Sequence, residues 1–164
     1  MEQFKLSLPY PEVIGKINDK TMAMLMQAYG GRGSELTAIM QYTFQFLTLS
    51  NKPTYKSIEN GLMGISITEM EHSELLGKAI VTFGGKPLAS GAYSFWSGSY
   101  VNYTEDIKTF LNNNILAEQS AIKGYEEIIS FTENESLKKL LSRIIMDEQL
   151  HISIFEDMIL SLNK

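Results

Sequence analysis

The chain contains two histidines, and each is preceded three residues earlier by a glutamate, as Glu69-Met70-Glu71-His72 and Glu148-Gln149-Leu150-His151. With 15 glutamates among 164 residues, chance gives that double coincidence in about 0.8% of arrangements (15/164 squared), so the pairing calls for a chemical reason. On an α-helix, residues three apart lie about 60° apart around the axis with a rise of about 4.5 Å, so each Glu and His point the same way. Two further glutamates, Glu35 and Glu118, fall near the centres of their own helical segments on the apolar face. Burying four carboxylates together is prohibitive unless positive charge accompanies them. Two divalent cations balance those four charges, and two neutral imidazoles add nitrogen ligands. The six residues Glu35, Glu69, His72, Glu118, Glu148 and His151 are therefore expected to bind two divalent transition-metal ions.

Four segments must carry these residues. They run from about Asp19 to Leu49, from Pro53 to Gly84, from Thr104 to about 132, and from Asn134 almost to the C-terminus. The first holds a weak point at Gly30-Gly31-Arg32-Gly33. Apolar residues recur at i, i+3, i+4, i+7 throughout, as in Leu137, Leu140, Leu141, Ile144, Ile152, Phe155 and Ile159, which is the signature of amphipathic helices. Thr104 and Asn134 are expected as N-caps, and Gly84-Gly85-Lys86-Pro87 as a stop signal. The pattern predicts an all-α antiparallel four-helix bundle over about residues 19–163, preceded by an irregular arm, residues 1–18, in one domain spanning 1–164. About 20 residues, Gly84 to Tyr103, separate helices two and three. They reach roughly 66 Å when extended, against roughly 44 Å for a 29-residue helix, which suffices for a long crossover. Its Tyr93, Phe95, Trp96, Tyr100 and Tyr103 are expected to cover the bundle or form a subunit contact.

A weak internal repeat divides the chain. Glu35 is followed seven residues later by Tyr42, and Glu118 by Tyr125, while 34 and 30 residues separate each of these glutamates from its Glu-x-x-His. Two helical hairpins related by a pseudo-twofold axis would each supply one Glu and one Glu-x-x-His. Tyr42 and Tyr125 lie two turns from the glutamates on the same face and can donate hydrogen bonds to ligand carboxylates, or act as proton donors in catalysis. Asp147, beside Glu148, is a candidate acceptor for the ring N–H of His72. The equivalent position in the first half is Thr68, which predicts unequal support for the two metals.

Composition narrows the function classes. Zero cysteines exclude disulfides, iron–sulfur clusters and thiol catalysis. A net charge of −5 carries no basic footprint for nucleic acid. No stretch approaches 18 consecutive apolar residues, so no membrane span or membrane partner is expected, and the expected location is the cytoplasm.

The order Glu, Glu-x-x-His, Glu, Glu-x-x-His on four helices with a long second crossover resembles the ferritin-like di-iron and di-manganese carboxylate superfamily. Within it, Gly30-Gly31-Arg32-Gly33-Ser34-Glu35-Leu36, with Gln41-Tyr42 and Gln45, looks most like the manganese catalase and rubrerythrin-like branch. The resemblance implies a ferritin-like fold and the same six residues as metal ligands, with Glu148 either on the metals or beside them. One departure is Ala117, before Glu118, where manganese catalases tend to carry an Arg. The implied cofactors are two manganese or iron ions, and the implied activity is oxidoreduction of hydrogen peroxide or dioxygen. Other implied roles are bacterioferritin-like iron storage and passive, structural metal binding. A homo-oligomer, dimer or larger, is expected, and a peroxidase of this kind would need a separate electron-donor protein.

Overall fold

A computed structural model describes residues 3–162. Five α-helices fill the four bundle positions: α1 Asp19–Gly30, α2 Glu35–Leu49, α3 Lys56–Thr82, α4 Ile107–Phe131 and α5 Glu135–Ser161. Among the described residues there is no strand, only an isolated antiparallel bridge between Ser90 and Phe95. No helix among them is long and apolar enough to cross a membrane.

The first expected helix is two. The α1 helix ends at Gly30, and α2 restarts after Ser34, whose hydroxyl accepts from the Thr37 N–H at 3.4 Å. The reason lies in the crossover, whose backbone passes directly over the break. A Cβ at Gly30 would stand 2.7 Å from the backbone N and O of Ser90. Gly30 therefore makes room for the crossing segment.

The C-terminus of α3 follows the expected stop, with Gly84 in the left-handed region at φ 88° and the Gly85 N–H returning to the Ile80 carbonyl at 2.8 Å. The α4 start moves two residues from the expected one. Asp106, not Thr104, is the cap, its Oδ1 accepting from the Thr109 N–H at 2.8 Å. A carboxylate is the stronger acceptor there and complements the positive end of the helix dipole. Asn134 caps α5 as expected, accepting from the Leu137 N–H at 2.8 Å.

Short links join α2 to α3 and α4 to α5 into tightly packed hairpins, and α3 and α5 also meet across the bundle. The apolar core is split. One cluster gathers Leu25, Leu76, Ile80, Tyr125, Ile128, Leu141 and Ile144. The other gathers Tyr42, Leu62, Ile65, Phe110, Leu111 and Phe155. Between them lies a polar layer containing Glu35, Glu69, His72, Glu118, Glu148 and His151, all buried.

Two peripheral segments close the bundle. In the crossover, Trp96 donates its ring N–H to Thr37 Oγ1 at 3.0 Å, whereas Tyr93 and Phe95 face outward, 97% and 75% exposed. The N-terminal arm runs along α3 and α5, and Asn134 Nδ2 donates to the Ile14 carbonyl at 2.8 Å and the Lys16 carbonyl at 3.2 Å.

Asn134 thus both caps a helix and holds the arm, while Asp106 only caps. Asn134→Ala is expected to lower unfolding stability by about 2 kcal/mol, and Asp106→Ala by about 1 kcal/mol. Urea denaturation of the two variants checks the ranking.

Candidate metal centre

Glu35 stands at the start of α2, not at the middle of a longer helix. The break at residues 31–34 turns the positive end of the α2 dipole toward its carboxylate, a favourable contact for an anion. Glu69 and His72 lie on α3, Glu118 on α4, and Glu148 and His151 on α5. The helices bring all six together. One ligand atom from each of Glu35, Glu69, His72 and Glu148 can be chosen so that all lie within 4.8 Å of one another. The same holds for Glu69, Glu118, Glu148 and His151. Two overlapping groups result, with Glu69 and Glu148 common to both.

The distances inside the groups are short. His72 Nδ1 lies 3.1 Å from Glu69 Oε2 and 3.3 Å from Glu148 Oε1. His151 Nδ1 lies 2.9 Å from Glu69 Oε1, 3.0 Å from Glu148 Oε2 and 3.7 Å from Glu118 Oε1. Yet Glu69 Oε1, both oxygens of Glu148 and His151 Nδ1 are buried without a hydrogen bond. His72 Nδ1 and Glu69 Oε2 are hydrogen-bonded, whereas these orphaned atoms converge on a shared space rather than on one another. Orphaned buried polar atoms of this kind are costly, and a set of carboxylate oxygens and imidazole nitrogens suits divalent manganese, iron or zinc. The donor set therefore fits a pair of metal ions.

The outer contacts set the imidazole orientation. His72 Nε2 lies 3.2 Å from Asp147 Oδ2, and His151 Nε2 lies 2.9 Å from the main-chain oxygen of Phe4. Both acceptors call for Nε2–H, so when the imidazoles are neutral their Nδ1 lone pairs face inward. Thr68 does not reach His151. Its hydroxyl donates to the Gly64 carbonyl at 3.3 Å and lies 3.5 Å from the Phe4 oxygen. The expected asymmetry between the halves is thus met by the arm, which sequence reasoning treated as irregular.

The tyrosines cross between the halves. Tyr42 donates to Glu118 Oε1 at 2.5 Å, and Tyr125 donates to Glu35 Oε1. Each hydroxyl serves the glutamate of the opposite repeat. Near them Gln41, Gln45 and Asn114 form a buried amide network, with Gln45 Nε2 to Asn114 Oδ1 at 2.9 Å and Asn114 Nδ2 to Gln45 Oε1 at 2.6 Å. Gln41 adds a bond to Asn114 Oδ1 at 3.0 Å and receives the Asn102 N–H at 3.0 Å, tying the crossover to the centre. Polar residues four apart on the apolar stripe of α2 are the signal that could have revealed it.

The carboxylates border a cavity. A cavity of about 540 Å³ opens between α1, α2 and α4 and is bordered by Glu35, Glu118, Tyr42 and Tyr125, with small residues such as Ala38, Ala117, Ala121 and Gly124 along its walls. Neither histidine borders it.

Without metal, protons stand in for the cations. Burial, followed by the charges of Glu69 and Glu148, holds the carboxyls of Glu35 and Glu118 well above the usual range. Burial pushes the two histidines down, but the surrounding carboxylates outweigh it and raise both above 6.5. Burial likewise opposes ionisation of Glu69, but the paired histidines prevail and hold its carboxyl below the usual range.

Fold and site together define a ferritin-like helical bundle with a buried carboxylate–histidine cluster able to hold metal. The chain belongs to the rubrerythrin family, whose family model, described as Rubrerythrin, matches residues 31–159. A manganese catalase from Anabaena is 28% identical, with a TM-score of 0.85 over 99% of this chain and 82% of that one. A bacterioferritin from Desulfovibrio desulfuricans is 24% identical, with a TM-score of 0.75 over 88% of this chain and 80% of that one. A Mycobacterium tuberculosis bacterioferritin is 19% identical, with a TM-score of 0.76 over 91% of this chain and 89% of that one. No curated protein matches the chain.

The charge balance sets a pH dependence. In the metal-free protein the raised pKa values of His72, His151, Glu35 and Glu118 mean that these groups keep protons the unfolded chain has lost. Their stabilisation is complete below the unfolded values and is lost as pH rises through the folded ones. Metal-free protein should therefore melt progressively lower as pH rises above about 4.3, the unfolded glutamate value, and more steeply above about 6.5, the unfolded histidine value. Metal uptake displaces those protons, so the gap between loaded and metal-free protein should widen with pH. At 100 times Kd one ion adds about 2.7 kcal/mol, worth roughly 5–10 °C for a chain of this size. Glu118→Ala should remove much of the gap. Melts with and without Mn²⁺ between pH 5.5 and 8.5 test it, and an unchanged melting temperature on full metal removal would contradict the account.

Proposed function

We propose that the chain binds two divalent transition-metal ions, manganese or iron, and uses them as an oxidoreductase on hydrogen peroxide or dioxygen. Glu35 and His72 would hold one ion, Glu118 and His151 the other, and Glu69 and Glu148 both. The observation that carries the reading is the pair of overlapping groups, each able to bring its ligand atoms within 4.8 Å of one another, with orphaned atoms in their midst.

Bound there, two such ions can exchange two electrons with peroxide, so disproportionation to water and dioxygen needs no organic cofactor. The chain's own residues supply the rest. Tyr42 and Tyr125 hold hydroxyl protons against Glu118 and Glu35 and border the cavity from which a small oxidant would arrive. Burial, then the charge of Glu118, raises the Tyr42 pKa in the metal-free protein, so the hydroxyl is protonated there. A cation that offsets the Glu118 charge would ease release of that proton toward the range a general acid needs. Asp147 orients His72 and thereby supports the site without touching substrate.

The likeness to a manganese catalase at 28% identity favours peroxide as substrate. Turnover as a peroxidase would require a separate electron-donor protein, because the chain has no cysteine for its own thiolate-bound iron centre. Iron storage in a bacterioferritin-like shell is the second reading, and likeness of fold supports it. Either function suits a homo-oligomer in the cytoplasm, and the outward Tyr93 and Phe95 offer apolar surface for a subunit contact.

Metal content and oxygen release from peroxide, measured together, separate these readings. Manganese-loaded wild type should evolve oxygen. Tyr42→Phe should keep its metal while turnover falls about 10²-fold. Asp147→Asn should lose roughly 10–100-fold in metal affinity or activity. Full occupancy by manganese or iron with no peroxide consumed would sink the enzyme reading and leave storage or a structural role.

A further inference from the structure

The N-terminal arm touches the outer side of both histidines. The Phe4 carbonyl accepts from His151 Nε2 at 2.9 Å. At the other histidine the arm acts through Asp147, whose Oδ1 receives the Leu6 N–H at 2.8 Å and whose Oδ2 receives the Tyr10 hydroxyl at 2.7 Å. Arg143 completes the arrangement. It pairs with Asp147 Oδ1 at 2.8 Å while donating to the Leu6 carbonyl at 2.7 Å and the Leu8 carbonyl at 3.1 Å.

The helices alone cannot supply this at both histidines. Asp147 serves His72, but its counterpart Thr68 turns its hydroxyl to Gly64 and toward Phe4. The place of an acidic acceptor at His151 is taken by the arm's main chain. What fixes that carbonyl is Phe4 itself, whose ring lies on Gly64 of α3 so closely that a Cβ there would stand 2.2 Å from it. The ring also packs against the apolar cluster around Leu62 and Phe155.

We infer that arm residues Phe4, Leu6 and Tyr10 are positioning residues of the metal centre, holding both imidazoles with Nδ1 inward and so raising its affinity for both ions. The inference rests on the ligand set proposed above. Outer hydrogen bonds of this kind fix the tautomer and the ring orientation, and their loss typically costs 10–100-fold in metal affinity. Coupling of this sort is reciprocal. Whatever factor the docked arm adds to metal affinity, the bound metals add to docking of the arm.

Reciprocity allows a test on the intact chain. Amide hydrogen exchange at Leu6 should slow about 10-fold or more when Mn²⁺ is added, because its N–H is held by Asp147. The affinity for Mn²⁺, measured by competition with a chromophoric chelator, should fall about 10-fold or more in Gly64→Ala, which forces Phe4 off α3. Alanine favours the helix over glycine, so a general loss of α3 structure is not the expected route. Tyr10→Phe, which removes one hydroxyl, should lower affinity by less than Gly64→Ala. A purely structural arm would leave Leu6 exchange indifferent to Mn²⁺ and both variants within twofold of wild-type affinity. That result overturns the inference and leaves the ligand set standing. A wild-type chain that binds fewer than two Mn²⁺, or whose binding survives Glu118→Ala unchanged, overturns the ligand set and the inference with it.

Discussion

Four carboxylates held in one buried layer repel one another, and every other feature of the bundle accommodates that fact. Glu35, Glu69, Glu118 and Glu148 are each no more than 4% exposed. Water cannot screen them, so the protein must supply positive charge, protons or hydrogen-bond donors within a few ångströms. Helix N-terminus, tyrosine hydroxyls and histidines each answer part of the need. The Glu35 carboxylate sits at the start of α2 and also receives the Tyr125 hydroxyl. What remains unanswered is a set of oxygens and one nitrogen facing a common space.

Such a layer interrupts the hydrophobic core, and the core is arranged around the interruption. The two apolar clusters lie on either side of it, and each contributes one tyrosine. Tyr125 belongs to the cluster around Leu141 and donates to Glu35, while Tyr42 belongs to the cluster around Phe155 and donates to Glu118. Each ring is therefore anchored by apolar packing while its hydroxyl reaches into the polar layer. An amphipathic side chain is suited to that boundary. Apolar packing on both sides holds the carboxylates at one level even though they repel.

The fold and the six clustered residues were legible because both depend on local periodicity. A Glu-x-x-His on an apolar stripe declares its own direction, and two glutamates on partner stripes needed only the bundle to meet it. What escaped depended on contacts between segments distant in sequence. The α1–α2 break is set by Ser90 crossing at Gly30, so the glycines alone suggested only a weak point. Asp106 outcompeted Thr104 as a cap within one short stretch, a choice that periodicity does not resolve. The Phe4 carbonyl could not be foreseen, because every residue carries one and only the path of the chain decides which carbonyl meets a histidine.

That path gives the centre two unlike sides. Along α3 and α5 the arm covers the histidines, and their outer nitrogens are engaged by Asp147 and Phe4. Between α2 and α4 the small side chains of Ala38, Ala117, Ala121 and Gly124 leave a cavity that ends on Glu35, Glu118 and the two tyrosines. The pseudo-twofold relation between the halves does not require this, since it exchanges α2 with α4 and α3 with α5 and leaves each side equivalent to itself. It is the order of elements around the bundle that separates a histidine side from a carboxylate side. Anything small that enters the cavity meets carboxylate oxygens and phenolic protons first, while the imidazoles stay behind them, hydrogen-bonded on their outer side to Asp147 and Phe4.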